Sequence, residues 1–354
     1  MGLVSYWGLV LTQSHKHTPT TQLTRLFIMP AAAHPPRYRV ADMCAGTGAF
    51  SHALASTGGF YPVYAHDLSP HAEALYNANH DLRLTRGDAL ALDVTSVPAH
   101  DVLCAGFPCQ PFSRQGVMQG QADPRYQVWE VLVQMLSYHH PSAFLFENVP
   151  LLLRHNKGET WKLMREQVEA LGYHVQAFEL NTAVYSITPQ GRTRAYIVGL
   201  CKERTKYERF VPPQPVPRLL PVSECLALHT HFKYHYNDPK NPIHAELMEH
   251  ATDPDTVYSY RSREQTVARR VRANKRNLCP TLITNGGGYH MPIVRRGGVV
   301  RKLTPRECFN LQGFPTGYVL PRTVKDSNLY SLAGNAVSYP IVRAMGERLW
   351  DVLS

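Results

Sequence analysis

The chain has 354 residues, 44% of them hydrophobic, a size and composition that suit one large globular domain with a smaller one. Its seven cysteines are scattered without a C-x-x-C pair, so neither a zinc site nor a disulfide framework is expected, and a reducing, intracellular setting is favoured. No apolar stretch approaches the roughly 20 residues of a membrane helix. We therefore expect no association with a membrane.

The net charge of +10 is located in one segment. Between Arg261 and Lys302 the chain has eleven Lys and Arg residues and one acid, Glu264, so this segment accounts for the whole excess. A surface of this kind binds polyanions, because neutralising phosphates releases counterions. A basic run is equally often a solvated surface, and composition alone does not separate the two interpretations.

Residues 1–37 show no clear periodicity and are predicted to form a loose N-terminal extension. From Tyr38 onward, short apolar runs alternate with stretches of helical periodicity. This order is typical of an α/β fold with a doubly wound, Rossmann-like sheet. Strands are predicted at 39–42, 62–65, 101–105, 143–146, 174–180 and 194–199, with helices at 70–79, 125–138 and 159–171.

The composition and the periodicity of the chain change after Cys201. A proline-rich stretch at 211–217 marks a boundary, and the region beyond it has few periodic segments. This region contains the basic run and three consecutive glycines at 286–288, and helical periodicity returns only at 337–353. We therefore predict a first domain at 38–201, a smaller loop-rich domain at 202–326 and a C-terminal helix at 327–354 that returns to the first domain.

A glycine-rich turn follows the first predicted strand. Residues 42–48 lie between this strand and a helix that begins near Phe50, where the backbone can approach a ligand closely. About 20 residues further on, Asp67 ends the next strand, where a carboxylate can accept hydrogen bonds from ribose hydroxyls. Asp88, after a third strand, can receive an adenine amino group. Nicotinamide dinucleotides use the same elements, and capping of loops by the two carboxylates is the alternative.

Cys109 stands in the octapeptide Gly106-Phe107-Pro108-Cys109-Gln110-Pro111-Phe112-Ser113, directly after the predicted strand at 101–105. A thiol at the end of a strand can meet a substrate and act as a nucleophile when its surroundings are polar. An unpaired cysteine is more often a small buried hydrophobe. The octapeptide by itself therefore leaves both roles open.

Four motifs together resemble those of the DNA (cytosine-5)-methyltransferases, in the same order along the chain. They are the octapeptide around Cys109, Glu147-Asn148-Val149, Gln190-Gly191-Arg192-Thr193-Arg194 and Gly334-Asn335-Ala336-Val337. Thr281-Leu282 and the stretch 301–315 are similar to further motifs of the family, so the resemblance extends from Tyr38 to Leu349. The compact type of bacterial and viral restriction-modification systems is favoured, since no regulatory domain is expected before the catalytic motifs.

The resemblance implies the S-adenosylmethionine-dependent methyltransferase fold and transfer of a methyl group to carbon 5 of cytosine. Cys109 would attack carbon 6 of the ring, and Glu147 would hold a proton at ring nitrogen 3. Arg194 would direct its guanidinium at the cytosine carbonyl. Arg192 would help to place the loop or the base. For both arginines, pairing with a carboxylate such as Glu147 is the alternative.

S-adenosylmethionine is the implied cofactor, and no metal is needed because the sulfonium already activates the methyl group. The cofactor residues that match the family's motifs are Asp42, Ala45, Gly46, Gly48, Phe50, Asp67, Leu68, Asp88, Ala89, Pro108, Asn335, Ala336 and Val337. The chain departs from the family's common pattern where Cys44 replaces Phe, Asp67 replaces Glu and Leu68 replaces an aromatic residue. We expect these departures to change cofactor affinity and to leave the chemistry intact.

A base inside a duplex cannot present carbon 6 to a thiolate, so the target cytosine must be flipped out of the helix. Residues 110–125 are expected to form a loop that closes over the flipped base, and the domain at 202–326 is expected to recognise the target sequence in double-stranded DNA. The predicted DNA-binding residues are Gln110, Ser113, Arg114, Gln115, Arg125, Arg269, Arg270, Arg272, Thr281 and Gly287. We expect a monomer, with any cognate restriction endonuclease acting separately.

Two alternatives remain at this point. The tRNA-acting branch of the same superfamily commonly has Pro-Pro-Cys with Thr after the following Phe, whereas this chain has Phe107-Pro108-Cys109 and Ser113. A non-catalytic DNA-binding protein on a Rossmann-like scaffold would not need an intact set of Cys109, Glu147 and Arg194. Both alternatives are therefore disfavoured.

Overall fold

The computed structural model describes residues 37–108, 127–236, 242–253, 256–260, 271–274, 278–284, 291–296 and 298–354. The strands, numbered in chain order, are β1 (Tyr38–Met43), β2 (Phe60–Asp67), β3 (Thr85–Arg86), β4 (Val102–Ala105), β5 (Ala143–Asn148), β6 (Tyr173–Asn181), β7 (Gln190–Gly191), β8 (Thr193–Cys201), β9 (Val257–Tyr260), β10 (Val271–Ala273), β11 (Cys279–Pro280), β12 (Ile293–Arg296) and β13 (Val299–Lys302). The α-helices are α1 (Ala49–Ala55), α2 (Pro70–Asn77), α3 (Gln127–His139), α4 (Glu159–Glu169), α5 (Thr182–Tyr185), α6 (Pro242–His250), α7 (Pro305–Leu311), α8 (Asp326–Asn335) and α9 (Tyr339–Leu353).

Seven strands form the main sheet, in the order β3-β2-β1-β4-β5-β8-β6. All neighbouring strands are parallel except β8, which runs antiparallel to both β5 and β6. The predicted doubly wound α/β fold with a mixed sheet is therefore confirmed. The apolar runs made the strands recognisable because every residue of β4 and of β5 is buried, as expected for strands covered on both faces.

The two faces of the sheet contribute to two separate hydrophobic clusters. Leu145 and Tyr196 belong to the cluster that also contains residues of α1, α8 and α9. Phe146 and Ile197, which directly follow them in β5 and β8, belong to the cluster with α3 and α4. This alternation is the period-two pattern of a strand. Glu147 and Arg194 consequently share the first face with Leu145 and Tyr196.

The order of the strands reverses at β1, which lies between β2 and β4. From β1 the chain passes to β2 on one side, and it later crosses to β4 on the other side. The loops after β1 and β4 therefore diverge and leave a crevice at the carboxyl ends of these strands, where ligands bind in open α/β sheets. The turn at 44–48 and the segment at 106–108 both lie at this edge.

A second, four-stranded antiparallel sheet has the order β10-β9-β12-β13. Its own hydrophobic cluster has five buried residues, which are Leu247, Ala251, Tyr258, Ile293 and Val300. Val257 and Val294 of this sheet belong to the large cluster of the main sheet, as do Phe210 and Val222 before it and α7 with the segment after it. The limits 38–201, 202–326 and 327–354 remain a prediction. Among the described residues, no helix is long and apolar enough to cross a membrane.

Candidate active site

The turn at residues 44–48, which we call the glycine turn, connects β1 to α1. Cys44, Gly46 and Gly48 all have positive φ, at 53°, 54° and 67°. A Cβ at Gly48 would lie 2.7 Å from both His80 Nε2 and Tyr76 Cδ2, so no larger residue fits there. At Gly46, in contrast, a Cβ would meet only the Cys44 carbonyl oxygen, at 3.8 Å, among the described residues. The turn is therefore packed tightly on its inner side and open at Gly46.

Asp42, near the end of β1, holds the start of α1 on the far side of the turn. It is fully buried, and its Oδ2 accepts hydrogen bonds from the backbone nitrogen of Ser51 at 3.1 Å and from its hydroxyl at 2.7 Å. Its Oδ1 has no hydrogen-bond partner among the described residues. Burial raises the pKa of Asp42 to about 7, against the lowering effect of the two bonds from Ser51.

Asp67 and Asp88 hold their local backbone. Asp67 Oδ2 accepts from the Gly46 nitrogen at 2.8 Å, and its Oδ1 accepts from the Ser69 nitrogen at 2.8 Å. Asp88 Oδ1 accepts from the Leu90 nitrogen at 3.0 Å. The capping role that the sequence left as an alternative is thus present at both positions, and each carboxylate oxygen retains a lone pair for a ligand. Beside Asp67, the side chain of Leu68 is 67% exposed.

The opposite wall of the crevice brings together predicted cofactor residues from distant parts of the chain. A Cβ at Gly106 would lie 3.8 Å from Val337 Cγ1 and 4.0 Å from Phe50 Cε2. Ala89, Ala336 and Val337 are buried, Pro108 is half-buried, and the side chain of Asn335 is exposed. The ends of β1 and β4 and the start of α1 therefore meet the segment between α8 and α9.

Glu147 lies near the end of β5, buried to 7% exposure. Its Oε1 is 3.2 Å from Arg194 Nε, an ion-pair distance, although the N–H is not aimed well enough for a hydrogen bond. Burial raises the pKa of Glu147, and the charges of Arg194 and Arg192 oppose that rise. A carboxyl group whose pKa is raised by burial keeps its proton more readily than an exposed one, which is the property a general acid needs.

Arg192 is 2% exposed and bonds to backbone carbonyls. Its Nη2 donates to the Ala336 oxygen at 2.7 Å and its Nη1 to the Leu282 oxygen at 3.3 Å. These bonds connect Arg192, between β7 and β8, to the segment before the 286–288 glycines and to the motif at 334–337. The sequence left open whether Arg192 places the loop or the base or pairs with a carboxylate, and it did not predict these two carbonyl partners.

Asn148 is a site residue in the motif Glu147-Asn148-Val149, for which the sequence predicts no function. Its Nδ2 donates to the Phe107 carbonyl at 3.2 Å, and its Oδ1 accepts from the Val149 nitrogen at 2.8 Å. Asn148 thus fixes the backbone one residue before Pro108 and two before Cys109. The only signal in the sequence was its position next to Glu147.

A hydrogen bond and a close approach position residues 281–284. Thr281, predicted to contact DNA, donates from Oγ1 to the Gly191 carbonyl at 2.7 Å. A Cβ at Gly334 would lie 2.5 Å from the backbone carbon of Ile283, so glycine is required where α8 passes this segment. Residues 281–284 therefore lie between β7 and α8.

Several predicted residues lie outside the described part of the chain. They are Cys109, Gln110, Ser113, Arg114, Gln115, Arg125, Arg269, Arg270 and Gly287. The backbone of Arg272 belongs to β10. Within the described ranges, no group of three or more His, Cys, Asp or Glu side chains could hold a metal ion.

The basic run is not a uniform surface. Arg301 is 1% exposed, and its Nη2 and Nη1 lie 2.7 and 2.9 Å from the two carboxylate oxygens of Glu307, with a further bond to the Ala227 carbonyl at 3.0 Å. The assignment of the whole run to phosphates is therefore wrong for Arg301. Its guanidinium faces inward because Glu307, at the start of α7, offers a bidentate partner.

A model of the C-5 cytosine-specific DNA methylase family matches residues 38–351. The chain belongs to this family. The resemblance found in the motifs is confirmed, and the protein is a DNA cytosine-5 methyltransferase that uses S-adenosylmethionine.

Named relatives agree with this family. The methyltransferase is 33% identical over 317 residues to the Type II methyltransferase M.Bsp6I of Bacillus sp. (strain RFL6), covering 88% of this chain and 98% of that protein. It is 31% identical over 340 residues to M.HpaII of Haemophilus parainfluenzae, covering 90% of each. Among solved structures, the Entamoeba histolytica methyltransferase EhMeth and the S. pombe Dnmt2 methyltransferase both align with a TM-score of 0.66, over 89% of this chain and 98% and 99% of theirs. At 16% and 19% identity, these two structures support the fold alone.

The crevice fits S-adenosylmethionine. The open side of Gly46 and the absence of a side chain at Gly106 leave room close to the backbone. The exposed Leu68 offers an apolar surface at the crevice, and Asp42 Oδ1, which has no partner among the described residues, leaves one buried acceptor next to the turn. These groups suit a ligand with an adenine, a ribose and a cationic sulfonium.

Proposed function

We propose that this methyltransferase modifies cytosine within a defined sequence of double-stranded DNA, as the methylating enzyme of a restriction-modification or viral modification system. The Type II names of its relatives support this system. The single observation that carries the proposal is the buried pair of Glu147 and Arg194, next in the chain to Asn148, which bonds to the Phe107 carbonyl. A protonatable carboxyl and a guanidinium thus belong to the strand end that is tied to the residues just before Cys109 in the chain.

The proposed chemistry begins at Cys109. Its thiolate adds to carbon 6 of the flipped cytosine, a carbon–sulfur bond forms, and electron density moves to carbon 5 and ring nitrogen 3. Glu147 holds a proton at nitrogen 3, a role for which its raised pKa is suited. Arg194 directs its guanidinium at the cytosine carbonyl, where negative charge grows during the attack. Carbon 5 then accepts the methyl group and loses its proton to a base. The electrons of that C–H bond re-form the double bond to carbon 6, the carbon–sulfur bond breaks, and the thiolate leaves.

When bound, S-adenosylmethionine supplies an electrophilic methyl group. Gly46, Phe50 and the Gly106–Pro108 segment would surround it, with Asp67 and Asp88 at its ribose and adenine. Asn335, Ala336 and Val337 would close the wall on the other side. We assign Arg192 to positioning of this wall, since its guanidinium, between β7 and β8, bonds to the carbonyls of Leu282 and Ala336.

Recognition of the target sequence is assigned to the domain at 202–326. The remaining basic residues of the 261–302 run contact phosphates, because such contacts release counterions. Replacing Arg269, Arg270 and Arg272 by Gln should flatten the dependence of DNA affinity on salt concentration. An unchanged slope would show that this segment is a solvated surface. The protein acts inside the cell as a monomer, separately from any cognate endonuclease.

The decisive experiment compares methyl transfer from labelled S-adenosylmethionine to duplex DNA and to tRNA. We expect labelled duplex DNA, and bisulfite sequencing of DNA from cells that express the protein should then give the target sequence. Cys109→Ala should abolish transfer and retain cofactor binding. The matched control is Cys201→Ala, which removes a buried thiol at the end of β8 and should remain active. Normal turnover by Cys109→Ala would exclude the covalent mechanism, and labelling of tRNA alone would favour the RNA-acting branch.

A further inference from the structure

A segment between α7 and α8 crosses the inner side of the glycine turn. We call residues 313–319 the strap. Its Tyr318 is 1% exposed, and the ring packs on Phe309 and Phe314 with centroid distances of 5.8 and 4.6 Å. The Tyr318 hydroxyl donates a hydrogen bond to the Thr47 carbonyl. Thr47 lies between Gly46 and Gly48, so this bond ties the strap to the middle of the turn.

Two side chains hold the backbone of the strap. Asn79, just after α2, accepts at Oδ1 from the Val319 nitrogen at 2.6 Å and donates from Nδ2 to the Val319 carbonyl at 2.9 Å. On the other side, Arg306 of α7 donates from Nη2 to the Tyr318 carbonyl at 2.6 Å. The backbone at Tyr318 and Val319 is therefore held by Arg306 of α7 and by Asn79, which follows α2.

The glycine turn needs such support. Three of its residues adopt positive φ, including Cys44, for which this conformation is unfavourable. Thr47 is 2% exposed, so its carbonyl is shielded from solvent and needs a protein donor. Without the Tyr318 hydroxyl, this carbonyl would lose that donor and the turn would gain alternative conformations. Gly46 belongs to the same turn and faces the open side of the crevice.

We infer that Tyr318, held by Asn79 and Arg306, is a positioning residue for the S-adenosylmethionine site. It touches neither the cofactor nor the base, and it acts by keeping the glycine turn in its binding conformation. The inference rests on the proposed placement of the cofactor against Gly46. It assigns to the strap, which follows the second sheet in the chain, a direct role in cofactor affinity.

The test is Tyr318→Phe, which removes the hydroxyl and keeps the ring. Tyr330→Phe is the matched control, because Tyr330 is 3% exposed and its hydroxyl donates to the Leu303 carbonyl at 2.6 Å, away from the turn. Both variants lose one buried hydrogen bond. Affinity for S-adenosylmethionine is measured by calorimetry without DNA, together with the rise in melting temperature that the cofactor produces in each variant.

We expect Tyr318→Phe to weaken cofactor binding by about three- to tenfold, the range that corresponds to one hydrogen bond. Tyr330→Phe should bind like the wild type, although both variants melt earlier. With saturating cofactor, kcat should be unchanged in Tyr318→Phe, since the groups at the base are intact. Equal affinities in the two variants would overturn the inference, as would a loss of kcat with unchanged affinity.

A second variant keeps the inference testable if Tyr318→Phe folds poorly. Asn79→Ala changes a partly exposed residue and removes its hydrogen bonds to Val319 of the strap. Its control is Asn274→Ala, which removes a comparable bond to the Val257 carbonyl, at 2.9 Å in the second sheet. Only Asn79→Ala should weaken cofactor binding. If the wild-type protein binds the cofactor but does not methylate DNA, the proposed function is contradicted. The cofactor affinities of the variants can still be compared in that case, so the inference is tested separately.

Discussion

The main sheet, at its crevice side, is supported by much larger hydrophobic clusters than the second sheet is. Around β1 and β4, strands are buried on both faces between two large clusters, and a turn with three positive φ angles is held by Asp42, Asp67 and Tyr318. The second sheet has a cluster of five buried residues and is attached to α7 by the pair of Arg301 and Glu307. The comparison shows that the first region supports an unfavourable backbone conformation. Among the described residues, the second is joined to the rest of the protein by the buried pair of Arg301 and Glu307 and by Val257 and Val294, which pack in the large cluster.

The largest effect is expected at the catalytic end of the first region. Glu147→Gln keeps the shape and the neutral charge of a protonated carboxyl but cannot transfer a proton, so kcat should fall by about 10²- to 10⁴-fold. Glu179→Gln, which breaks the surface pair with Arg154, serves as the control and should keep its activity. Steady-state methylation assays at saturating DNA and cofactor measure both. Full activity in Glu147→Gln would remove proton transfer from the role of this residue.

The next effect tests the second region. Arg301→Met leaves the Glu307 carboxylate buried without its bidentate partner, and the free energy of unfolding should fall by about 3 kcal/mol. Adding Glu307→Leu should recover part of this loss, because the unpaired charge is then removed. Urea denaturation measures the stabilities. The salt dependence of DNA binding should stay the same in Arg301→Met, and a flatter slope would return Arg301 to the phosphate contacts.

A smaller effect is expected at Asp42. Its pKa of about 7 in the folded protein lies above the ordinary value of 3.8, so ionisation disfavours the folded state. Stability should therefore decrease as the pH rises through the window between these values, and Asp42→Asn should remove this decrease. Between pH 5 and pH 7 the wild type should lose about 2 kcal/mol more than the variant. Parallel pH profiles from urea denaturation would show that Asp42 does not titrate there.

The smallest effects compare the cap of α2, in the first region, with the cap of α7, the helix to which the second sheet is attached. Thr304 Oγ1 accepts from the Glu307 nitrogen at 3.2 Å, and Ser69 Oγ accepts from the nitrogens of His71 and Ala72 at 3.2 and 3.3 Å. Thr304→Ala should lower the free energy of unfolding by about 1 kcal/mol. This loss should exceed that of Ser69→Ala, because Glu307 completes a capping box at Thr304. Thr304→Ser keeps the hydroxyl and should restore most of the loss. Equal losses at the two caps would remove the distinction.

The sequence predicted the fold because apolar runs indicate strands that are covered on both faces. It predicted the positions of Glu147 and Arg194 through the two motifs that contain them, and it left their pairing as an alternative to contact between Arg194 and the base. It did not predict the carbonyl partners of Arg192 or the role of Asn148. Their partners Leu282, Ala336 and Phe107 are distant in the chain, and a backbone carbonyl leaves no signal in the side-chain sequence.

The sequence by itself determined the α/β architecture, the membership of the cytosine-5 methylase family and the positions of Glu147 and Arg194 at strand ends. Only the tertiary structure decided that Arg301 is buried against Glu307 and that Tyr318 bonds to Thr47. The physical reason is that charge and aromaticity in a sequence give the type of a side chain but not its partner. A basic residue is drawn to phosphate or to a buried carboxylate by the same electrostatic attraction, and the fold alone places one of them within reach.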